Sequence, residues 1–141
     1  MLVRMIYVSR AVNPSSGSPT DSILASSREH NLSSGITGIL CFGGGIYLQA
    51  LEGGRNQVNA LYHQIANDER HRDVVILLYE EIKERRFGGW TMGQVNMSKI
   101  NASILLKYAE KPELDPYSVS GKVSLALLEE LMATASIIGR S

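Results

Sequence analysis

Apolar residues alternate along Leu2 to Ser9, with Val3, Met5 and Tyr7 on one side, Leu2, Ile6 and Val8 on the other, and Arg4 interrupting the second set. That pattern predicts a short strand, buried on at least one face. Asn13 to Thr20 (NPSSGSPT) is rich in turn formers and reads as a loop. A helix is predicted from about Pro19 or Thr20 to His30, with a thin apolar face of Ile23, Leu24 and Ser27. Two apolar runs, Ile36 to Phe42 and Ile46 to Leu51, flank Gly43-Gly44-Gly45. This predicts a β-hairpin, because glycine supplies the positive φ that a tight hairpin turn needs.

After Gly53-Gly54 a second helix is predicted to run to about Asn67. Val58, Leu61, Tyr62 and Ile65 fall at i, i+3, i+4 and i+7 along it and form one apolar stripe. Asp68 to Asp73 (DERHRD) reads as a charged turn. Val74 to Tyr79 (VVILLY) is a continuous apolar run, which predicts a strand covered on both sides or central in a sheet. Lys83 to Arg86 is basic, Phe87-Gly88-Gly89 is loop-like, and Trp90 to Val95 reads as a last short strand. The order β-α-β-β-α-β-β predicts an α+β fold with helices on one face of a mixed or antiparallel sheet.

The composition shifts near Asn96. Ser98 to Ala109 and Ser120 to Ile138 carry helical periodicity, separated by Lys111-Pro112-Glu113-Leu114-Asp115-Pro116. Leu125, Leu128 and Met132 line one side of the last helix, with Leu127 and Leu131 beside them. So much apolar surface is expected to sit on the sheet's open face or on another chain. The division expected is a sheet domain over residues 1–97 and a helical extension over residues 98–141.

At 141 residues the chain is one ordinary domain in size, with 14 Lys plus Arg against 14 Asp plus Glu. Cancelling charge argues against a nucleic-acid footprint. The single cysteine, Cys41, rules out an intramolecular disulfide and predicts a cytoplasmic, reducing setting. No apolar run reaches the length of a membrane span, and one Cys with three scattered His does not make a zinc site.

Catalytic signatures are weak: there is no G-x-S-x-G elbow, no H-E-x-x-H and no Walker A loop. Gly43 to Gly45 lies in a hairpin and is a poor phosphate cradle. Cys41 reads as an inert buried thiol, and Glu52 as a solvated carboxylate at a strand end, with an acid or base as the alternative. The informative anomalies are polar residues where apolar ones belong. Gln49, mid-strand, shares a face with Tyr47 and Leu51, and a buried amide needs partners for its oxygen and its NH2. Tyr7 is placed to offer it a hydroxyl. Asn31 follows Leu24 by seven residues and Ser27 by four, which puts polarity on the helix face that should meet the sheet. Three uncharged hydrogen-bonding groups converging on an apolar interior fit a planar, heteroatom-rich ligand between helix and sheet. The same residues also admit a plainer arrangement, with Tyr7 in the core, Gln49 on a solvated face and Asn31 ending its helix.

Several motifs in order resemble one known family. They are Tyr7-Val8-Ser9, Ser27-Arg28-Glu29-His30-Asn31, Gly35-Ile36-Thr37-Gly38-Ile39-Leu40, Gln49-Ala50-Leu51-Glu52-Gly53, Asp68-Glu69-Arg70-His71 and Arg86-Phe87-Gly88-Gly89-Trp90-Thr91-Met92. Over about residues 2–97 the chain is similar to the BLUF domain, a sensor of blue light using FAD, and its tail is similar to that of short, stand-alone PixD-like members. The resemblance implies a ferredoxin-like domain that binds one flavin, without a covalent bond, between two helices. The flavin implied is FAD, with FMN or riboflavin as alternatives. Tyr7 matches the redox-active tyrosine, Gln49 the glutamine between it and the flavin, and Asn31 the asparagine on the ring's carbonyl side. Trp90 and Met92 match residues placed near the glutamine. Leu24, Ser27, Arg28, His30, Ile65, Asp68, Arg70 and His71 complete the flavin-binding set that the resemblance implies. His30 and Gln64 depart from the asparagine and arginine of other members, and Arg70-His71 serves equally as a capped turn.

The resemblance implies a photoreceptor rather than an enzyme. With no effector domain after residue 141, its signal is expected to leave through a homo-oligomer interface or a separate signalling protein, without nucleic acid or membrane as partner. A flavoenzyme of similar fold and a flavin-free scaffold or RNA binder are the competing classes. The second conflicts with 6% aromatic residues, too few for the stacking strands of an RNA reader.

Overall fold

The computed structural model describes residues 1–12, 31, 33–134 and 137–138. The predicted first helix, with Leu24, Ser27, Arg28 and His30, lies outside the described residues. Strands β1 (Leu2–Ala11), β2 (Thr37–Gly43), β3 (Ile46–Gly54), β4 (His71–Ile82), β5 (Gly93–Val95) and β6 (Ile137–Ile138) form one sheet in the order β4-β1-β3-β2-β5-β6. The first four are antiparallel neighbours in the ferredoxin-like order, β5 joins β2 in parallel, and β6 pairs antiparallel with β5. Helices α1 (Arg55–Ala66), α2 (Ala102–Tyr108) and α3 (Gly121–Thr134) complete the described fold.

The β2–β3 hairpin turns on Gly44 and Gly45, with φ of 60° and 78°. Both are left-handed, as a two-residue turn of the primed type requires, and Gly43 belongs to the strand. The hairpin sets the register of β3, and strand alternation then divides its side chains between two layers. One face of the sheet carries Val3, Met5, Tyr7, Leu40, Tyr47 and Leu51, covered by Val58 and Leu61 of α1. The other carries Ile6, Ile39, Cys41, Leu48 and Ala50, covered by Leu127, Leu128 and Leu131 of α3. The expectation of helices on one face therefore describes only part of the fold, because the tail covers the second face. Of the two destinations open to the tail's apolar side, its own sheet is the one taken.

Four further expectations change. The helix expected over Ser120 to Ile138 is α3 over Gly121–Thr134, and Ile137–Ile138 instead form β6. The Val74 to Tyr79 run is neither central nor covered on both sides. It belongs to β4, at the end of the sheet, where Val75, Ile76 and Tyr79 are exposed. Its apolar character is only partly used, by Val74 on the α1 side and by Leu77 and Leu78 on the tail side. The predicted charged turn gives way at His71, where β4 already begins. The last predicted strand is confined to Gly93–Val95, so Trp90 and Met92 lie just before it.

Candidate functional site

Tyr7 and Gln49 are direct cross-strand partners of β1 and β3. Both side chains leave the sheet on the α1 side, which brings phenol and amide together. Both are buried, and the Tyr7 hydroxyl donates to Gln49 Oε1. Gln49 Nε2 then donates to Met92 Sδ at 3.1 Å. Met92, itself fully buried, thus touches Gln49. Trp90 is half-buried, and its carbonyl accepts from Gly38 N at 3.2 Å.

Asn31 is set by the end of its helix. Its carbonyl accepts from Gly35 N at 2.9 Å and Ile36 N at 3.2 Å, and Gly35 takes a φ of 75° that closes this turn. The buried side chain of Asn31 donates from Nδ2 to the Thr91 carbonyl at 2.9 Å. Asn31 and Gln49 therefore grip consecutive residues, Thr91 and Met92. Asn31 Oδ1 is buried with no hydrogen-bond partner among the described residues. An orphaned buried acceptor costs about 1–3 kcal/mol, so it marks a place prepared for a donor.

At the other end of the site the Arg70 guanidinium grips Asp68, with Nε 3.0 Å from both carboxylate oxygens and Nη2 2.5 Å from Oδ2. Arg70 N also donates to Asp68 Oδ1, closing a local turn. The Arg70 hydrogen bonds hold the Asp68 carboxyl below its ordinary 3.8. His71 Nδ1 is 2.9 Å from Ser9 Oγ, and the buried ring also meets the Ile65 backbone. Burial pushes the His71 imidazole below its ordinary 6.5, which favours the neutral ring. Tyr7 stands edge-on to both His71 and Tyr62, at centroid distances of 6.4 and 6.3 Å. Burial, reinforced by Tyr47 and Asp68, raises the Tyr7 phenol far above its ordinary 10, so it stays protonated in the resting protein. Ile65 of α1 is half-buried against the same core cluster.

The anomalous polar residues Tyr7, Gln49 and Asn31 thus converge, linked through Thr91 and Met92. The plainer arrangement, with Gln49 solvated, is excluded by its burial. The Ser9–His71 contact and the Tyr62 and Tyr47 edges went unread, although a serine among the apolar residues of β1 was a usable signal. Gln64 on α1 is exposed. Cys41 is buried, its Sγ 3.1 Å from Met97 Sδ and its thiol pushed up to about 12 by burial, as expected of an inert group. Glu52 is not solvated: it is fully buried, because Arg4 stands directly opposite on β1 with Nε 2.8 Å from Glu52 Oε2.

A buried site with amide, hydroxyl and imidazole groups and the unspent Asn31 oxygen fits a flat, uncharged heterocycle better than it fits a metal. No group of three or more metal-binding side chains occurs among the described residues. The class defined is a ferredoxin-like domain whose α1-side sheet face gathers uncharged hydrogen-bonding groups suited to a flat heterocycle.

Comparison with known proteins makes that class specific. Residues 2–93 match the family model for BLUF, sensors of blue-light using FAD. The chain is 39% identical over 87 residues to photoactivated adenylate cyclase subunit alpha of Euglena gracilis, covering 62% of this chain and 8% of that protein. It is 35% identical over 88 residues to the blue light- and temperature-regulated antirepressor BluF of Escherichia coli strain K12, covering 62% of this chain and 22% of that one. These relatives are far longer than the part they share with it. Among solved structures, the photo-activated state of BlsA superposes with a TM-score of 0.82 at 28% identity, covering 96% of this chain and 99% of BlsA. The dark state of BlrB, a BLUF protein, gives 0.72 at 32% identity, covering 94% and 95%. The chain belongs to the BLUF family and is a blue-light-sensing, flavin-binding domain, as its motifs implied. No helix among the described residues is long and apolar enough to cross a membrane.

Proposed function

We propose that Tyr7, Gln49, Asn31 and Met92 are the photoactive edge of this sensor, and that the signal leaves through the segment ending at Met92. The observation that carries the proposal is the unbroken chain from the Tyr7 hydroxyl through the Gln49 amide to Met92, beside the unspent oxygen of Asn31. A flavin held beside Tyr7, Gln49 and Asn31 would supply a light-excited acceptor for one electron and one proton. On the protein side, Tyr7 would give up its electron together with its Oη proton; Gln49 Oε1 is placed to receive that proton while Nε2 releases one toward the acceptor, so the amide relays the proton and stays neutral. An amide oxygen that has gained a proton donates where it formerly accepted. Rotation or tautomerisation of Gln49 therefore reverses the pattern it presents, including the hydrogen bond to Met92. Asn31 orients the ring through its free oxygen and excludes water by its burial. Asp68, Arg70, His71 and Ile65, with Leu24, Ser27, Arg28 and His30, complete the surroundings of the ring and its chain. FAD is the flavin we assign, and FMN or riboflavin satisfies the same ring contacts.

Output follows from chain order. Met92 runs directly into β5, which lies between β2 and the tail strand β6. Exchange of one or two hydrogen bonds is worth about 1–3 kcal/mol, or roughly 5–150-fold in an equilibrium. That range is enough to reposition β5 against β6 and too small to unfold the sheet. We therefore assign residues 1–97 to sensing and 98–141 to output, toward a second copy or a separate signalling protein, with no catalysis by this chain. The test is photochemical. Purified, flavin-bound protein should show a small, thermally reversible red shift in blue light, and Tyr7→Phe and Gln49→Leu should each abolish it. A normal shift in either variant refutes the relay, and steady substrate turnover in darkness would favour a flavoenzyme.

A further inference from the structure

The buried carboxylate of Glu52 has more partners than a simple ion pair requires. Besides Arg4 Nε at 2.8 Å, Glu52 Oε1 accepts from the main-chain N–H of Arg86 at 3.0 Å and of Phe87 at 2.7 Å. Glu52 Oε2 is 3.1 Å from the same Arg86 nitrogen, and the Glu52 carbonyl accepts from Arg85 Nη1 at 3.3 Å. Arg85 Nη1 also donates to Thr37 Oγ1 at 2.9 Å. Three consecutive residues, 85 to 87, are thus fastened to one position of β3. The Phe87 ring, fully buried in the tail-side core, closes the same end.

Gln49 and Glu52 are three residues apart on one strand, so they point to opposite faces of the sheet. Gln49 lies with Tyr7 on the α1 side, and Glu52 with Leu48 and Ala50 on the tail side. The segment Arg86–Met92 meets both, at Phe87 through Glu52 and at Met92 through Gln49. Between these fastenings lie Gly88 and Gly89, exposed and without side chains to hold them. From its Glu52 end the segment also reaches the tail, because Arg86 Nη1 pairs with Glu129 of α3.

We propose that Glu52 is a positioning residue for the Gln49–Met92 contact. Its carboxylate anchors the tail-side end of Arg86–Met92, so that a change at Gln49 moves the segment between two defined positions. The inference deepens the photoreceptor reading and rests on it for its light-driven part alone; the anchoring is a property of the dark protein. A buried pair serving only stability would need Arg4. It would not need the two main-chain donors of a segment that ends on the photoactive glutamine.

Hydrogen exchange and side-chain NMR of the flavin-bound, full-length protein in the dark provide the test. In the wild type, the amides of Arg86 and Phe87 should exchange at least about tenfold more slowly than those of Gly88 and Gly89. Glu52→Gln turns an acceptor oxygen into a donor facing other donors. It should speed exchange at 86 and 87 by about 10–100-fold and shift the Met92 methyl and Gln49 Nε2 resonances, with Ile6 and Leu48 amides still protected. Glu52→Asp, which keeps the charge but withdraws it by one methylene, should move the same resonances in the same direction. Under blue light, Glu52→Gln should keep the red shift and recover about tenfold faster, since an unpinned segment has a smaller barrier to cross. Equal exchange at Phe87 and Gly88 in the wild type overturns the proposal. So does loosening at 86 and 87 in either variant with the Met92 and Gln49 signals unmoved. Absence of any light response in the wild type would overturn the photoreceptor reading, and the dark measurements would still decide the role of Glu52.

Discussion

The Tyr7–Gln49 pair lends itself to a double-mutant cycle. Both side chains are buried, and their hydrogen bond joins two groups with little access to water. Tyr7→Phe leaves the ring in its core cluster but strands Gln49 Oε1. Gln49→Leu keeps a side chain of similar size and strands the Tyr7 hydroxyl. Each single change should cost about 1–3 kcal/mol, the desolvation of one buried polar atom left unpaired. In the double variant neither orphan remains, so it should cost no more than the worse single variant. The expected coupling is therefore about 1–3 kcal/mol, with the double variant more stable than the sum predicts. Equilibrium unfolding in urea, in darkness and at matched flavin saturation, reads these differences from the midpoint at constant slope. Matching matters because bound flavin adds its own stability through mass action. Costs that add to within about 0.5 kcal/mol would mean that the two side chains do not share a hydrogen bond, and the proposed relay would lose its first link.

Other expectations concern the second face, the acid limb and the thiol. Leu128→Ala, in the fully buried contact between α3 and the sheet, should cost about 2–5 kcal/mol in the same assay; a cost below 1 kcal/mol would mean that the tail is not docked. Gly121 should not tolerate alanine, because a Cβ there would lie 2.1 Å from the Leu77 carbonyl oxygen. Gly121→Ala should therefore raise proteolysis of the tail, and unchanged cleavage would speak against this close approach. The pH dependence has a definite sign. His71 titrates below its ordinary 6.5 in the folded chain, so the unfolded chain binds the extra proton first and stability falls as pH drops through 6.5. Asp68, held below 3.8 by Arg70, contributes stability that is present above that pH and lost as pH falls further. Asp68→Asn should flatten the lower limb and His71→Gln the upper one, in thermal melts across the range. Cys41→Ala should leave the light response intact, whereas its loss would indicate a thiol–flavin adduct.

The site was more legible in the sequence than its surroundings. Tyr7, Gln49 and Asn31 stood out because polar groups in apolar periodicity are costly, and the cost makes them conspicuous. The hairpin was legible because glycines at the turn leave few conformations. What escaped depends on long-range pairing. Glu52 looked solvated because a single strand does not reveal that Arg4, a charge within the apolar run of β1, faces it in register. Two opposite charges, each breaking an apolar run, were the available clue. The apolar run of β4 resembled a central strand, yet position in a sheet is set by topology, and partial cover from α1 and the tail suffices for an end strand. The destination of the tail helix was open for the same reason: an apolar face specifies that it is covered, not by what. Met92 meets Gln49 from just before β5, a placement that a strand expected over Trp90 to Val95 did not reveal.

The absorption difference between dark and blue-illuminated protein tests the central claim most directly. The account predicts bound flavin, a small red shift under blue light, and full thermal return in darkness. Protein that takes up flavin and shows no such reversible shift would contradict it.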